Sequence, residues 1–349
     1  MNIRDVAQRA GVSVATVSRV LNHPDQVTPK TRERILEIMK AMDYTPNWFA
    51  RGLNLNRTGV IALLIPNIMN PIYTEIAKGV EEVAHNKGYY TLLCNSEDSK
   101  EKEAAYIEML LHRKVDGLIF IAGHLDPNLM KRIEETRLPA VMIGKIEGNW
   151  QFSAVYTDYF EGARKATAHL IENGYSGIAH ITGNLRFIES AEKLNGYREA
   201  LNNANIEINP KWIIGGEETI EGGYLAAKRL VRNPNPPEAI FIANDWMAFG
   251  AIDAIKTEGF RIPEDIAIVG FDNNRMSGLV EPKLTTVNLP VYKMGLTASR
   301  LLFDEMDTLP STSESDEKTD QKQQIFLPLT IKVRHSCGHQ DRIKAIFGE

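Results

Sequence analysis

The stretch IRDVAQRAGVSVATVSRVLN at residues 3–22 decides how the first part of the chain folds. Apolar residues recur at helical spacing on both sides of Gly11, which predicts helices from Ile3 to Ala10 and from Val14 to Leu21, joined by a tight turn. Ser13 stands where a side-chain oxygen caps the second helix. The stretch therefore predicts a helix-turn-helix.

A third helix, Pro29 to Met42, is predicted after Thr28, because a hydroxyl residue followed by proline is typical of a helix start. Asn2 can cap the first helix in the same way as Ser13 caps the second. One small core can form from the apolar residues Ile3, Val6, Ala7, Ala10, Val17, Val20, Leu21, Ile35, Ile38 and Met42.

The composition of the second predicted helix suits the major groove of DNA. Ala15 is small enough to allow close approach, Thr16 and Ser18 can bond phosphates or bases, and Arg19 can address guanine. Periodicity alone is equally compatible with a small helical bundle whose polar face is merely solvated. The charge distribution favours DNA, since residues 1–57 carry a net charge of +4 within a chain of net charge −5.

Several protein classes are disfavoured by the sequence. The start has no apolar stretch of the kind a signal peptide needs, and the nearby apolar run Val60 to Ile65 is far short of a membrane span. Cys94 and Cys337 have no paired spacing, so neither a disulfide framework nor a zinc site is indicated. We expect a globular cytoplasmic protein with no membrane partner, no metal and no cofactor.

The helical periodicity is lost at residues 45–58, which read as a linker with a short helix, Phe49 to Leu53. Short apolar runs then alternate with amphipathic stretches such as Ile72 to Ala84, and this alternation predicts two α/β lobes with parallel sheets. The predicted strands are Val60 to Ile65, Thr91 to Cys94, Leu118 to Ala122, Ala140 to Ile143, Ile178 to Thr182, Ala239 to Ala243, Ile266 to Phe271 and Ile325 to Val333. Met306 to Gln324 is polar and reads as a mobile surface loop.

The sequence resembles the LacI/GalR family of bacterial regulators over nearly its whole length. Every fixed position of the family's opening signature, I-x-D-V-A-x-x-A-G-V-S-x-x-T-V-S-R-V-L-N, is present in residues 3–22. Further family-like phrases follow in order: Tyr44, Pro46 and Asn47; Ala50, Arg51 and Leu53; Val115-Asp116-Gly117; Asn244-Asp245; IVGFDN at residues 268–273; and Leu284-Thr285-Thr286-Val287.

This resemblance implies a helix-turn-helix headpiece at residues 1–44, a hinge at 45–58 and a core at 59–340 that is similar to periplasmic binding proteins. Lobe 1 is expected at about 59–156 and 291–323, and lobe 2 at about 158–289 and 325–340. The chain is expected to cross between the lobes near Thr157, Pro290 and Gln324.

The resemblance also implies a sequence-specific transcriptional regulator, usually a repressor, that binds a palindromic operator as a homodimer. Leu53 occupies the position of the family's leucine wedge, which inserts into the minor groove. The DNA-binding residues expected on this basis are Ser13, Val14, Ala15, Thr16, Ser18, Arg19, Asn22, Asn47, Arg51 and Leu53.

An effector is expected in the cleft between the lobes. The residues expected to bind it are Ile72, Tyr73, Phe187, Glu189, Lys193, Glu218, Asn244, Asp245 and Asp272. Lys193 stands where the family often has Arg, so the bidentate fork that suits vicinal hydroxyls is lost. The added carboxylates favour an amine-bearing or other cationic ligand.

The sequence is also compatible with other effectors and with other protein classes. Lys193 can simply neutralise Glu189 one helical turn away, which leaves a sugar-like effector possible. A lysine at this position also resembles the catabolite control branch of the family, which takes a serine-phosphorylated carrier protein, and Arg300 could meet the phosphate. A periplasmic sugar-binding protein would lack the basic headpiece. An enzyme is disfavoured because no nucleophile elbow, P-loop, dinucleotide motif or H-E-x-x-H is present.

Overall fold

The computed structural model of the protein describes residues 2–22, 24–44, 57–121, 126–136, 138–145, 150–308 and 322–338. The chain divides into two compact units, Met1–Val60 with Lys114–Asp116, and Ile61–Arg113 with Gly117–Glu349. In its described residues the first unit contains three α-helices, and the second is built on two mainly parallel sheets with helices between the strands. The predicted fold class is confirmed.

The helices of the first unit are α1 (Ile3–Ala10), α2 (Val14–Asn22) and α3 (Pro29–Ala41). They share one core, as predicted. Its buried members are Val6, Ala7, Ala10, Val17, Val20, Ile35 and Met39. Met39 takes the buried place that the periodicity gave to Met42, which only packs against the edge of this core. The predicted helix Phe49 to Leu53 lies outside the described residues.

The second unit carries the remaining elements. Its strands are β1 (Val60–Ile65), β2 (Tyr90–Asn95), β3 (Gly117–Ile121), β4 (Ala140–Ile143), β5 (Ser153–Tyr156), β6 (Ile178–Thr182), β7 (Ile213–Gly215), β8 (Ala239–Ile242), β9 (Ala267–Asp272), β10 (Thr285–Asn288), β11 (Gln324–Phe326) and β12 (Thr330–Lys332). Its helices are α4 (Pro71–Asn86), α5 (Lys100–Arg113), α6 (Pro127–Glu135), α7 (Tyr159–Glu172), α8 (Ile188–Asn203), α9 (Ile220–Val231), α10 (Asp245–Thr257) and α11 (Val291–Thr308).

Two six-stranded sheets organise these elements into lobes. Lobe 1 has the strand order β11-β5-β4-β3-β1-β2, and lobe 2 has the order β12-β10-β9-β8-β6-β7. Nearly every registered pair is parallel, and β10 with β12 is antiparallel. The central strands are buried throughout, as expected for sheets covered on both faces by helices.

The chain passes between the two sheets three times. It leaves lobe 1 between β5 and α7, at Thr157, and returns between β10 and α11, at Leu289 and Pro290. It crosses again between β11 and β12, at residues 327–329. The carboxyl ends of the parallel strands of both sheets therefore face a common cleft, where ligands of such sheets bind.

Three features of this architecture differ from the sequence-based prediction. The single strand predicted from Ile325 to Val333 is wrong, because Pro328 has no N–H for a continuous ladder and β11 and β12 belong to different sheets. Helix α11 continues to Thr308 and buries Met306, so residues 306–308 are helical where a loop was predicted, and residues 309–321 lie outside the described part. Strands β5, β7 and β10 were not predicted.

None of the helices within the described ranges is long and apolar enough to span a lipid bilayer.

Candidate DNA-binding surface and effector cleft

The turn between α1 and α2 is fixed by local hydrogen bonds. Asn2 Oδ1 accepts the Arg4 N–H at 2.9 Å, and Asp5 accepts the Asn2 N–H at 2.8 Å, so α1 begins with a capping box. Gly11 has φ 63°, the left-handed conformation that glycine adopts without steric cost. Ser13 Oγ accepts the Thr16 N–H at 3.1 Å at the start of α2. All three predicted turn and cap assignments are confirmed.

Helix α2 presents one face to its core and the other to solvent. Val17 and Val20 are buried, whereas Val14 is 40% exposed and Ala15 and Arg19 are also exposed. The predicted DNA contacts Ser13, Thr16 and Ser18 lie on the exposed or half-exposed part of the same turn-and-helix segment. Asn22 is the last residue of α2. Asn47, Arg51 and Leu53 lie outside the described residues.

The end of the predicted hinge is held by Asp116. Its Oδ1 accepts the Thr58 N–H at 2.8 Å and the Thr58 hydroxyl at 3.0 Å, and its Oδ2 accepts the Gly59 N–H at 2.8 Å. A carboxylate that accepts several such bonds fixes the backbone it binds. Asp116 therefore anchors the backbone at Thr58 and Gly59, directly after the predicted hinge.

A cavity opens between the two lobes at the carboxyl ends of their strands. Lobe 1 contributes Asn70, Ile72, Tyr73, Ile76, Ile121, Ile143, Gly144, Lys145, Leu289, Val291 and Met294, and lobe 2 contributes Tyr159, Gly183, Ile188, Glu189, Ser190, Glu192, Lys193, Glu218, Ala243, Asn244 and Asp272. Seven of the nine predicted effector residues are in this set. Phe187 and Asp245 are not.

Phe187 and Asp245 have other places near the cavity. Phe187 is the residue before α8, and its carbonyl accepts the Ser190 N–H at 3.2 Å. Asp245 is fully buried and accepts from Ser277 Oγ at 2.5 Å, Thr286 Oγ1 at 2.6 Å and Asn274 N at 2.8 Å. Asp245 therefore holds the loop that directly follows Asp272 at the end of β9, and it is not among the residues that line the cavity.

Lys193 is held by groups from three other elements. It is 7% exposed, and its Nζ donates to the Ala243 carbonyl at 2.9 Å. The same Nζ lies 4.3 Å from the centre of the Phe271 ring and 5.3 Å from that of Tyr159. Aromatic faces and a carbonyl are suitable partners for a buried ammonium group. The pairing of Lys193 with Glu189 stays a prediction.

Burial raises the pKa of Asp272 well above its usual value, the Lys193 ammonium opposes this shift, and the Asp245 and Glu218 carboxylates add to it. Burial likewise raises the pKa of Tyr73, with Glu189 and Glu218 as further causes. The pKa of Tyr159 is also raised by burial and by Glu189 and Asp272. Both tyrosines are therefore neutral, and the neighbouring carboxylates add to pKa shifts that burial mainly causes.

Glu218 lies on the loop after β7 in a left-handed conformation, φ 59°. One of its oxygens, Oε1, accepts the Asn184 N–H at 3.1 Å and the Ser190 hydroxyl at 3.3 Å. These bonds orient the carboxylate toward the cavity wall formed by the start of α8. The second oxygen, Oε2, has no hydrogen bond within the described ranges.

Two ion pairs join the lobes beside the cavity. Arg275 Nε of lobe 2 lies 2.8 Å from Glu75 Oε1 of lobe 1, and Lys145 Nζ of lobe 1 lies 4.0 Å from Glu192 Oε1 of lobe 2. Sequence reasoning missed Lys145, Tyr159 and Glu192. Glu192 follows Glu189 by three residues on a predicted helix, so helical spacing alone could have placed it on the same face.

Two sequence families match the chain. Residues 2–47 match the family described as bacterial regulatory proteins, lacI family, and residues 167–337 match the periplasmic binding protein-like domain. Catabolite control protein A of Priestia megaterium is 35% identical over 337 residues, which make up 96% of this chain and 99% of that protein.

Solved structures have the same architecture. The transcriptional regulator CelR in its complex with cellobiose is 32% identical with a TM-score of 0.71, and the match covers 96% of this chain and 99% of that one. The lac repressor dimer bound to operator and the anti-inducer ONPF is 25% identical with a TM-score of 0.84, covering 97% of this chain and 99% of that one. These relatives are transcriptional regulators.

Proposed function

Since the chain belongs to the LacI family of bacterial regulatory proteins, and is therefore a DNA-binding transcriptional regulator with an effector-binding core, we propose that a cationic effector in the interlobe cleft controls its binding to a palindromic operator. The proposed division is a headpiece at residues 1–44, a hinge at 45–58 and a core at 59–340. Repression is the proposed mode.

The DNA-binding proposal is supported by the outward face of α2. Val14 and Ala15 offer apolar contacts, for example to a thymine methyl group, so Arg19 is left to make the hydrogen-bonded base contact. Ser13, Thr16, Ser18 and Asn22 are proposed to contact phosphates or base edges. In the hinge, Asn47 and Arg51 are proposed DNA contacts, and Leu53 is the proposed minor-groove wedge.

A homodimer is supported by apolar surface on both lobes. Strand β2 is an edge strand of lobe 1, and its Tyr90, Leu92 and Leu93 are 64%, 40% and 37% exposed. Leu225 and Leu279 of lobe 2 are 65% and 77% exposed. Apolar surface of this extent is typical of contact surfaces, and a twofold dimer brings two recognition helices to two half-sites.

The observation that carries the effector proposal is the excess of carboxylates in the cleft. Glu189, Glu192, Glu218 and Asp272 line it, whereas its ammonium groups, within the described ranges, are Lys145 and Lys193. Since Lys193 is already bound to Ala243 and two rings, no planar pair of donors is presented to vicinal hydroxyls. An amine-bearing ligand satisfies these charges better than a neutral sugar does.

Calorimetry of the full-length protein with n-pentylamine and with glucose tests this choice. We expect the amine to bind and Glu218→Gln to weaken it by about tenfold or more, the effect of one charge-assisted hydrogen bond. Glu217→Gln changes the neighbouring carboxylate, which is outside the cavity, and should bind as the unaltered protein does. Tight glucose binding that neither Glu189→Gln nor Glu218→Gln affects would overturn the proposal.

Control by a phosphorylated carrier protein is the second candidate. Lys293 and Arg300 are both exposed on α11 and are seven residues apart, so they share one face of the helix, where a phosphoserine could bind. This candidate gains support if a serine-phosphorylated carrier protein, and no small molecule, changes operator affinity in a mobility-shift assay.

A further inference from the structure

Glu192 has an unsatisfied buried oxygen. Its Oε2 atom is buried and has no hydrogen-bond partner, while Oε1 lies 4.0 Å from Lys145 Nζ across the cleft. Burial raises the pKa of Glu192, Lys145 and a backbone hydrogen bond from Tyr159 oppose this shift, and Asp158 and Glu189 add to it. A buried carboxylate oxygen without a partner is costly, and at the wall of a cavity it is typical of an atom that a ligand completes.

Glu218 presents a second acceptor in a different part of the same cavity. The carboxylate is held through Oε1 by Asn184 and Ser190, which leaves Oε2 for a ligand. Glu218 contributes to the raised pKa values of Asp272 and Tyr73 but is not among the groups that shift the pKa of Glu192. Glu218 is thus held beside Ser190, whereas Glu192 faces Lys145 of the other lobe, so the cavity offers two separate carboxylate acceptors.

A singly charged ligand can satisfy only one of these two carboxylates. Four carboxylates and two ammonium groups line the cavity within the described ranges, and burial raises the pKa of Asp272 well above its usual value while Lys193 opposes this shift. A single cation bound at Glu192 Oε2 leaves Glu218 Oε2 without a partner, so a second positive charge is needed to satisfy both oxygens.

Other parts of the cavity wall are apolar and aromatic. Tyr73 and Tyr159 line it from opposite lobes, and Ile72, Ile76 and Met294 lie on the lobe 1 side. Aliphatic side chains suit a methylene chain, and the tyrosine faces suit an alkylammonium group.

From these observations we propose that the effector is a compact aliphatic dication, with one positively charged nitrogen bound at Glu192 and the other at Glu218. This inference rests on the proposed function, which places a cationic effector in the cleft, and adds the second charge and the residue that receives it. The spacing of the two carboxylates then selects the length of the chain between the nitrogens.

Titration calorimetry of the full-length protein tests the dication with matched probes. The diamines are 1,3-diaminopropane, 1,4-diaminobutane and 1,5-diaminopentane, and the monoamines are n-propylamine, n-butylamine and n-pentylamine. We expect one diamine to bind at least about tenfold tighter than the monoamine of the same chain length, since a second charge-assisted hydrogen bond is formed. The advantage should peak at one chain length.

The variants Glu192→Gln and Glu218→Gln assign the two ends. Each should remove the advantage of the diamine over its monoamine, because one of the two nitrogens then loses its carboxylate. Glu199→Gln is the matched control, because Glu199 is exposed on the same helix as Glu192 and does not line the cavity. Without ligand, Glu192→Gln keeps the shape of the side chain and should remain folded, which a thermal melt checks.

The outcomes separate this inference from the proposed function. Equal affinity for monoamines and diamines overturns the dication and leaves a cationic effector standing. A diamine advantage that survives Glu192→Gln overturns the role of Glu192. Failure of every amine to bind, together with tight glucose binding, overturns both proposals.

Discussion

Arg19 is the residue whose chemistry matters most for operator choice. It is exposed on α2, between the buried residues Val17 and Val20 that fix the orientation of the helix. Arg19→Ala is expected to weaken binding to the cognate operator by about 1 to 3 kcal/mol, the usual value of a bidentate base contact. Fluorescence anisotropy on cognate and scrambled duplexes at one salt concentration measures the effect.

Arg9→Ala is the matched control for this prediction, since Arg9 is exposed on α1 and its loss removes the same charge. It should weaken binding to both duplexes by a similar factor, because only the nonspecific electrostatic contribution is reduced. If Arg19→Ala leaves the ratio of cognate to scrambled affinity unchanged, Arg19 does not read a base.

The residues Glu189 and Lys193 show what could and could not be predicted from the sequence. Helical spacing correctly brought Glu189 and Lys193 to one side of α8, and both line the cavity. It could not show that Lys193 Nζ reaches the Ala243 carbonyl and the Phe271 ring, because Ala243, just after β8, and Phe271, in β9, are 50 or more residues away along the chain. Contacts set by sheet packing are not encoded in local periodicity.

Among the elements, the junction of β6 with the loop before α8 places Glu218. A Cβ atom on Gly183 would lie 2.5 Å from Ser190 Oγ and 2.6 Å from Glu218 Oε1. Gly183→Ala should therefore displace the carboxylate, whose side chain can move, and cause a loss of amine affinity of about tenfold, with little change in thermal stability. Calorimetry and a thermal melt on the same preparation measure both quantities.

Gly215→Ala gives the comparison for the neighbouring strand, since the nearest atom to its added Cβ would be Thr182 Oγ1 at 4.0 Å. Its amine affinity should equal that of the unaltered protein. Equal affinity in Gly183→Ala as well would mean that Glu218 is not positioned by contact with this glycine.

Element boundaries followed from the sequence where a cap or a long apolar run marked them. Helix α1 and strands β1, β4 and β6 begin and end at the predicted residues. Strand β10 begins with two threonines that hydrogen-bond to Asp245 and Cys337, so its inward side chains are polar and no apolar run reveals it. A strand with polar inward residues can be identified only when the residues that its side chains contact are known.

For the whole molecule, His180 is expected to make the second sheet labile in acid. It is fully buried in β6, its Nδ1 lies 3.0 Å from the Phe241 carbonyl oxygen, and its ring stacks 4.7 Å from that of Phe241 and 5.1 Å from that of Tyr197. Burial lowers the pKa of His180 from 6.5 to about 4, with Lys193 and Arg198 as further causes. The folded state therefore favours the neutral form of the His180 ring.

Because the folded pKa lies below the unfolded one, the unfolded chain takes up the proton first as the pH falls. The contribution of neutral His180 is present above about pH 6.5 and is lost between there and pH 4, a loss of the order of 3 kcal/mol. Asp245 and Asp272 act in the opposite sense, since burial raises the pKa of each and protonation relieves their charge. The net acid dependence is thus a sum of opposing shifts.

A comparison of variants isolates the histidine from those carboxylates. Urea unfolding of the full-length protein between pH 7 and pH 4.5 should show a steeper fall in stability than that of His180→Asn, although the variant is less stable at pH 7 because it loses the stacked ring. His85→Asn is the control, since His85 is exposed on α4 and should leave the slope as it is. Parallel pH profiles for His180→Asn and the unaltered protein would show that His180 is not held neutral in the folded state.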